Sequence, residues 1–139
     1  MELNDILKLL PIERWRNPPP VVTVLRLDGV IAPRQWRGGL SLASHAEAVE
    51  RTFGAKRLVG VALAINSPGG SPVQSALLYR RIRQLADEKK VPVFAFAEDV
   101  AASGGYWLAL AGDEIYAEET SLLGSIGVVS SSFGVHRLI

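Results

Sequence analysis

Two parts of the chain repeat the same order of patterns, in which an apolar strand leads through a glycine turn into a helix. The apolar run 59–65 precedes the turn 66–70 (NSPGG), and the run 91–97 precedes the turn 101–105 (AASGG). A near-continuous apolar run is typical of a strand covered on both faces. Strand and helix in alternation imply right-handed crossovers and a largely parallel sheet with helices packed against it. The sequence therefore predicts an α/β fold built from repeated strand-helix units.

Periodicity and capping residues predict the remaining elements. They are a strand over 21–27, a helix from Leu42 to Phe53 behind a Ser44…Glu47 capping box, a helix that begins at Ser71-Pro72 and closes at Lys89-Lys90, a short helix over 106–111, and strands over 114–117 and 125–130.

The length of 139 residues, with 48% hydrophobic side chains, suits one compact core. The run Pro18-Pro19-Pro20 is a stiff spacer. It divides an N-terminal arm, residues 1–20, from a globular α/β domain, residues 21–139.

The arm carries one small apolar face, formed by Leu3, Ile6, Leu7 and Leu10, followed by Arg14, Trp15 and Arg16. Such a face suits either packing on protein or a weak peripheral contact with a membrane. No stretch is apolar for long enough to span a bilayer. We expect the chain to be cytoplasmic or peripherally membrane-associated, without a transmembrane segment.

Charge and cysteine content exclude several classes of function. The 15 basic and 14 acidic side chains leave a net charge of +1 without a basic run, which argues against a nucleic-acid partner. The absence of cysteine excludes disulfides, a thiolate zinc site and a cysteine nucleophile. No spacing of histidines or carboxylates indicates a metal, and no cofactor is expected.

The two glycine turns together suggest acyl transfer. Residue 103 follows residue 70 by 33 positions, the length of one helix and one strand, so the turns should lie on adjacent strands at the carboxyl edge of the sheet. There, the Ser103 hydroxyl could attack a carbonyl while the N–H groups of Gly70 and Gly104 bind the oxyanion, with Gly69 shaping the turn or adding a donor. Alternatively, Ser103 is only a helix cap and the glycines only permit close packing.

A serine nucleophile needs a general base, and none is identified within residues 1–139. Lys56, Lys89 and Lys90 precede strands, which places them about 20 Å from Ser103 at the opposite edge. The other candidates are His45 near the carboxyl edge, Lys8 in the arm and His136 in the tail, with Asp28, Asp99 and Asp113 as groups that could orient a base.

From about residue 21 to residue 129, the chain resembles peptidase family S49, the signal peptide peptidase A group, which is similar in fold to Clp protease subunits and crotonases. The resemblance is carried by 65–70 (INSPGG), 101–107 (AASGGYW), Ala111 with Asp113 and Ile115, and 124–128 (GSIGV). It implies that Ser103 is the nucleophile and that Gly70 and Gly104 form the oxyanion hole, supported by Gly69.

The resemblance also implies a Ser-Lys dyad whose lysine follows the 124–128 motif, in a segment that this sequence, ending at Ile139, does not contain. We expect the 139 residues to be a fragment that is inactive alone. The alternatives are a degenerate homologue and a base supplied by another subunit.

Apolar peptides, such as signal peptides or membrane-protein fragments, are the substrates that the resemblance implies. Trp36, Leu40 and Leu42 would line an apolar groove for them, and exposed apolar surface would favour a homo-oligomer. Two alternative functions remain. A crotonase-like acyl-CoA enzyme would use the same oxyanion hole but would need a phosphate-binding element that the sequence does not show. An inactive scaffold would only hold peptides.

Overall fold

The alternation of strands and helices expected from the sequence is present in the computed structural model, which describes residues 17–33 and 38–127. The elements, in chain order, are β1 (Val21–Asp28), α1 (Leu42–Phe53), β2 (Leu58–Ser67), α2 (Pro72–Lys89), β3 (Val93–Ala102), α3 (Gly104–Ala109), β4 (Glu114–Ala117) and β5 (Leu122–Gly124).

The five strands form one sheet in which every pairing is parallel. β1, β2 and β3 are neighbours in that order, and β3 has two partners on its other side. The first half of β3 pairs with β4, and its last three residues pair with β5. The predicted α/β fold with a largely parallel sheet is confirmed, and the carboxyl ends of β2 and β3 meet at one edge.

The apolar core lies between the helices and one face of the sheet. Alternate residues of each long strand point into it, because successive side chains of a strand face opposite sides. The core includes Leu25 and Leu27 of β1, Val61, Leu63 and Ile65 of β2, Val93 and Ala95 of β3, and Val49, Phe53, Leu78, Ile82 and Leu108 of the helices.

The other face of the sheet is open among the described residues, so the prediction that the apolar strands are covered on both faces is wrong for this part of the chain. Val24 of β1 and Phe96 of β3 are 65% and 43% exposed. The Phe96 ring stacks on Tyr116, with ring centroids 5.2 Å apart. The Tyr116 hydroxyl donates a hydrogen bond to Glu114, which raises the pKa of this tyrosine. A strand with apolar side chains on both faces has the same sequence pattern whether one face or both faces are covered.

Both bounds of α1, Leu42 and Phe53, and the start of α2 agree with the prediction, whereas the capping box of α1 differs from it. Ser41 is the cap of α1: its Oγ accepts the Ser44 N–H at 3.2 Å, and Ser44 Oγ accepts the Ser41 N–H at 3.0 Å. The capping box therefore lies three residues earlier than the Ser44…Glu47 pair, because Leu42 already begins the helix. α1 ends at Phe53 as predicted, with Gly54 as its C-terminal cap, and Ser71 with Pro72 begins α2 as predicted.

The short helix and the last predicted strand are displaced, whereas β4 covers residues 114–117 as predicted. The short helix covers Gly104–Ala109 rather than 106–111, and β5 covers Leu122–Gly124 rather than 125–130. Residues 125–127 form no strand because positive φ angles of 104° at Gly124 and 54° at Ser125 turn the chain away from β3. Residues 128–130, like residues 1–16 of the arm, lie outside the described residues, and the domain boundary at residue 20 stays a prediction.

Candidate active site

Ser103 is the single residue between β3 and α3, and its backbone is strained. Its φ of 53° and ψ of −118° lie in a region that residues with a side chain rarely adopt, at a cost of about 1–3 kcal/mol. The Ser103 N–H donates to the Gly124 carbonyl at 2.7 Å, and its carbonyl accepts the Trp107 N–H at 3.0 Å. The side chain makes no capping hydrogen bond. Ser103 is therefore not a helix cap through its side chain, and such a strand-to-helix corner exposes a hydroxyl.

The turn after β2 is anchored to Ile31. The Ile31 N–H donates to the Gly69 carbonyl at 2.8 Å, and the Ser71 N–H donates to the Ile31 carbonyl at 2.7 Å. In a trans peptide the N–H points opposite to the preceding carbonyl, and the described residues contain no cis peptide. The Gly70 N–H thus points away from Ile31, and no described residue accepts a hydrogen bond from it.

The two glycine turns touch, as expected from their spacing in the sequence. A Cβ atom on Gly69 would lie 2.7 Å from the Gly104 nitrogen and 2.8 Å from Ser103 Cβ. A Cβ on Gly105 would lie 2.3 Å from the Ser67 carbonyl oxygen. Only residues without a Cβ allow the two turns to approach this closely.

A cavity of about 340 Å³ opens where the turns meet. Ser103 and both predicted oxyanion glycines line it, together with an apolar wall; the full lining is Gly70, Pro72, Ser103, Gly104, Trp107, Leu110, Ile126 and Gly127. The Gly104 N–H, at the first position of α3, has no acceptor among the described residues. The Gly69 N–H, by contrast, donates to Ser67 Oγ at 3.2 Å. The geometry leaves two amides available to a ligand, Gly70 and Gly104, and their chemical roles remain predictions.

The apolar wall of this cavity differs from the predicted groove. Leu40 is fully buried and pairs with Ile31, Leu42 packs against the core, and Trp36 lies outside the described residues. Trp107 and Leu110 form the wall instead. Their positions, four and seven residues after Ser103, place them on the Ser103 side of a helix, and this spacing was the signal available in the sequence.

The described lining of the cavity contains no lysine, histidine or carboxylate. His45 lies on α1, with its Nδ1 2.9 Å from Ser44 Oγ, and does not line the cavity. Asp113 accepts the Val93 N–H at 2.8 Å at the opposite edge of the sheet, so it cannot orient a base for Ser103. Lys56, Lys89 and Lys90 are exposed and precede strands, whereas Lys8 and His136 lie outside the described residues. The described part of the chain holds no group of residues suited to a metal ion.

Comparison with known proteins finds similarity to peptidases. Residues 85–139 match the model of peptidase family S49. The chloroplastic serine protease SPPA of Arabidopsis thaliana is 37% identical over 122 residues, which cover 84% of this chain and 18% of that protein. A Brucella melitensis protein named Na(+)/H(+) antiporter NhaA is 53% identical over 139 residues, which cover 99% of this chain and 19% of that protein.

A solved structure, the S97A mutant of the 1510-N membrane-bound stomatin-specific protease, shares the fold. It matches 73% of this chain and 45% of its own, with a TM-score of 0.56 at 18% identity. The family model and the relatives support an S49 peptidase fragment, and the chain has the Clp protease/crotonase-like fold. It spans about a fifth of the length of the two relatives named above.

Proposed function

We propose that the chain supplies the nucleophile and the oxyanion hole of a serine endopeptidase of the signal peptide peptidase type. One observation carries the proposal: Ser103, in a strained backbone conformation, shares a cavity with the N–H groups of Gly70 and Gly104, neither of which has an acceptor among the described residues. In this mechanism Ser103 Oγ attacks the scissile carbonyl, and the two amides donate to the oxygen as it becomes negative. Each such donor stabilises the transition state by about 3–4 kcal/mol.

The proton of Ser103 must pass to a base, and no described residue of the cavity provides one. The family resemblance assigns this role to a lysine, which we place outside residues 1–139. An amine acts as a base near neutral pH only when burial lowers its pKa. The apolar wall formed by Trp107 and Leu110 suits such an amine. On this reasoning the 139-residue chain alone has little or no peptidase activity.

The substrates that suit the cavity are peptides with an apolar side chain next to the scissile bond. Trp107, Leu110 and Ile126 are 40%, 46% and 69% exposed, so each offers apolar surface that a ligand could cover. Burying one apolar side chain contributes about 1.5–3 kcal/mol. Signal peptides and membrane-protein fragments are the corresponding natural peptides.

Self-association and contact of the N-terminal arm with a membrane surface belong to the same proposal. None of the described helices is long and apolar enough to cross a bilayer. The antiporter name belongs to the Brucella protein as a whole. The turns, the cavity and the family match are the features that support a peptidase here.

An acyl-CoA enzyme of the crotonase type is less well supported. Such an enzyme could use the same amides, but it would need a carboxylate at the reacting carbon and a group to hold the nucleotide phosphates. The described cavity lining is uncharged. A scaffold that only binds peptides would not require the backbone strain at Ser103.

Covalent labelling with a fluorophosphonate separates these functions. The reagent should be applied to the 139-residue chain and to the product of the full reading frame, with the labelled residue located by mass spectrometry. We expect labelling at Ser103 in the full product, loss of labelling in Ser103→Ala, and little labelling of the 139-residue chain. Ser121→Ala is a control, because Ser121 Oγ donates to the Glu98 carbonyl away from the cavity.

Two results would contradict the proposal. A full product that is not labelled at Ser103 would favour the acyl-CoA enzyme or the scaffold. Robust hydrolysis of apolar peptides by the 139-residue chain, abolished by Ser103→Ala, would show that the base lies within residues 1–139.

A further inference from the structure

Ser67, the last residue of β2, lies beneath both glycine turns. It is fully buried and pairs with Ala101 of β3. Its carbonyl is in close contact with Gly105, as the 2.3 Å approach of a hypothetical Cβ shows. Its Oγ accepts the Gly69 N–H at 3.2 Å. This side chain therefore connects the strand end to the turn that carries the candidate oxyanion donor.

The hydrogen bonds of Gly69 determine where the Gly70 N–H points. Pro68 has no N–H, so Gly69 carries the first amide of the turn. Its N–H is held by Ser67 Oγ and its carbonyl by the Ile31 N–H at 2.8 Å. The Gly70 N–H is antiparallel to the Gly69 carbonyl, so the bond from Ile31 directs it away from Ile31, while the bond to Ser67 Oγ holds the preceding Pro68–Gly69 peptide.

Gly69 and Gly70, with φ angles of 96° and 142°, have wide conformational freedom in the absence of such anchors. We propose that Ser67 is a positioning residue: by holding the Pro68–Gly69 peptide through the Gly69 N–H, it fixes the conformation of Gly69 and so keeps the adjoining Gly69–Gly70 peptide in the orientation that presents the Gly70 N–H to the cavity. The inference rests on the proposed peptidase function of the same site. It also assigns the Gly69 N–H to the turn rather than to the oxyanion hole.

Loss of the Ser67 hydroxyl would leave the buried Gly69 N–H without an acceptor, which is unfavourable. The turn can relieve this by rotating the Pro68–Gly69 peptide, and because Gly69 and Gly70 have wide conformational freedom, the adjoining Gly69–Gly70 peptide can rotate with it. Rotation would carry the Gly70 N–H out of the cavity while Ser103 and the apolar wall stay in place. The expected effect is therefore on the transition state and not on substrate binding.

The test compares Ser67→Ala, Ser67→Thr and Ser41→Ala in the product of the full reading frame. Ser67→Thr keeps the acceptor oxygen. Ser41 is a matched control, because it is also fully buried and its Oγ also accepts one backbone N–H at 3.2 Å, at the start of α1. We expect Ser67→Ala to lower kcat for an apolar peptide about 10- to 100-fold with little change in KM, since loss of a whole donor costs about 100- to 1,000-fold.

Ser67→Thr should recover most of the lost kcat, and Ser41→Ala should lower stability without lowering kcat. A Ser67→Ala enzyme with unchanged kcat, or one whose KM alone rises, would overturn the proposal.

A second measurement does not depend on activity. Amide hydrogen exchange by NMR on the 139-residue chain should show Gly69 exchanging at least about 10-fold faster in Ser67→Ala, and unchanged in Ser41→Ala. If the wild-type full product is not labelled at Ser103, the peptidase function fails, and the exchange of Gly69 still decides the role of Ser67. Unchanged Gly69 exchange in Ser67→Ala would show that the hydroxyl does not hold the turn.

Discussion

Replacing Gly70 with alanine tests the contact between the oxyanion turn and Ile31. The new Cβ would lie 2.0 Å from the Ile31 carbonyl oxygen and 2.9 Å from its carbonyl carbon, where contacts below 3.0 Å are essentially never found. The atoms in the way belong to backbone, which cannot rotate aside as the end of a long side chain can. The turn and the Ile31 segment must therefore separate by about 1 Å.

Two hydrogen bonds join the segments that must separate, at 2.8 Å and 2.7 Å. Each contributes about 0.5–1.5 kcal/mol to stability. The φ of 142° at Gly70 adds about 1–3 kcal/mol of backbone strain for any residue with a side chain. Gly70→Ala should thus lower the free energy of unfolding by about 2–6 kcal/mol, a large part of the 5–15 kcal/mol typical of a domain.

Urea denaturation followed by circular dichroism measures this loss, with Gly29→Ala as the matched control. Gly29 has a φ of 98°, but no atom lies within 4 Å of its hypothetical Cβ, so that variant carries backbone strain without the collision. Gly70→Ala should be the less stable variant by about 1–3 kcal/mol, the contribution of the two hydrogen bonds. Equal stability of the two variants would refute the close contact with Ile31.

Three further predictions concern Ser103, Trp107 and Tyr116. The free energy of unfolding of Ser103→Gly should exceed that of Ser103→Ala by about 1 kcal/mol or more, because glycine relieves the backbone strain at a φ of 53°. Thermal unfolding measures both variants, and the reverse order of stability would contradict a strained backbone at residue 103. In the product of the full reading frame, Trp107→Ala should reduce labelling by fluorophosphonates with large apolar groups about 10-fold, without reducing labelling by fluorophosphonates with methyl-sized groups. An equal loss of labelling for both reagents would show that Trp107 does not form the cavity wall. Glu114→Gln should lower the pKa of Tyr116, because the hydrogen bond and the charge of Glu114 raise it; NMR titration of the tyrosine rings would reveal an unchanged pKa if the pair does not form in solution.

Local patterns in the sequence were sufficient to predict most of the scaffold. Apolar runs, glycine turns and the Ser71-Pro72 cap predict the order of strands and helices, because each depends on residues close together in the chain. The capping box of α1 and the last strand were predicted wrongly, because neighbouring residues offer more than one suitable position for each. Ser41 and Ser44 form the capping box of α1 although Ser44 and Glu47 have suitable spacing, and β5 ends at Gly124, with no strand over residues 125–127.

The candidate site was predictable in part for the same reason. The spacing between Gly70 and Ser103 predicts that the two turns are neighbours, and the structure brings them into contact. The assignment of Leu40 and Leu42 to the cavity wall was wrong, since Leu40 is fully buried where its backbone pairs with Ile31 and Leu42 packs against the core. The pairing of Ile31 with Leu40 depends on how two loop segments pack together, and the residues of those segments do not predict it.

The sequence by itself determined the α/β class, the parallel order of the strands and the meeting of two glycine turns at one edge, because backbone preferences and apolar periodicity act over short distances. The tertiary structure alone decided the strained angles of Ser103, the use of the Gly69 N–H by Ser67 and the availability of the Gly70 N–H. Those features depend on hydrogen bonds to Ile31 and Gly124, whose positions are set only when the sheet and its loops have packed together.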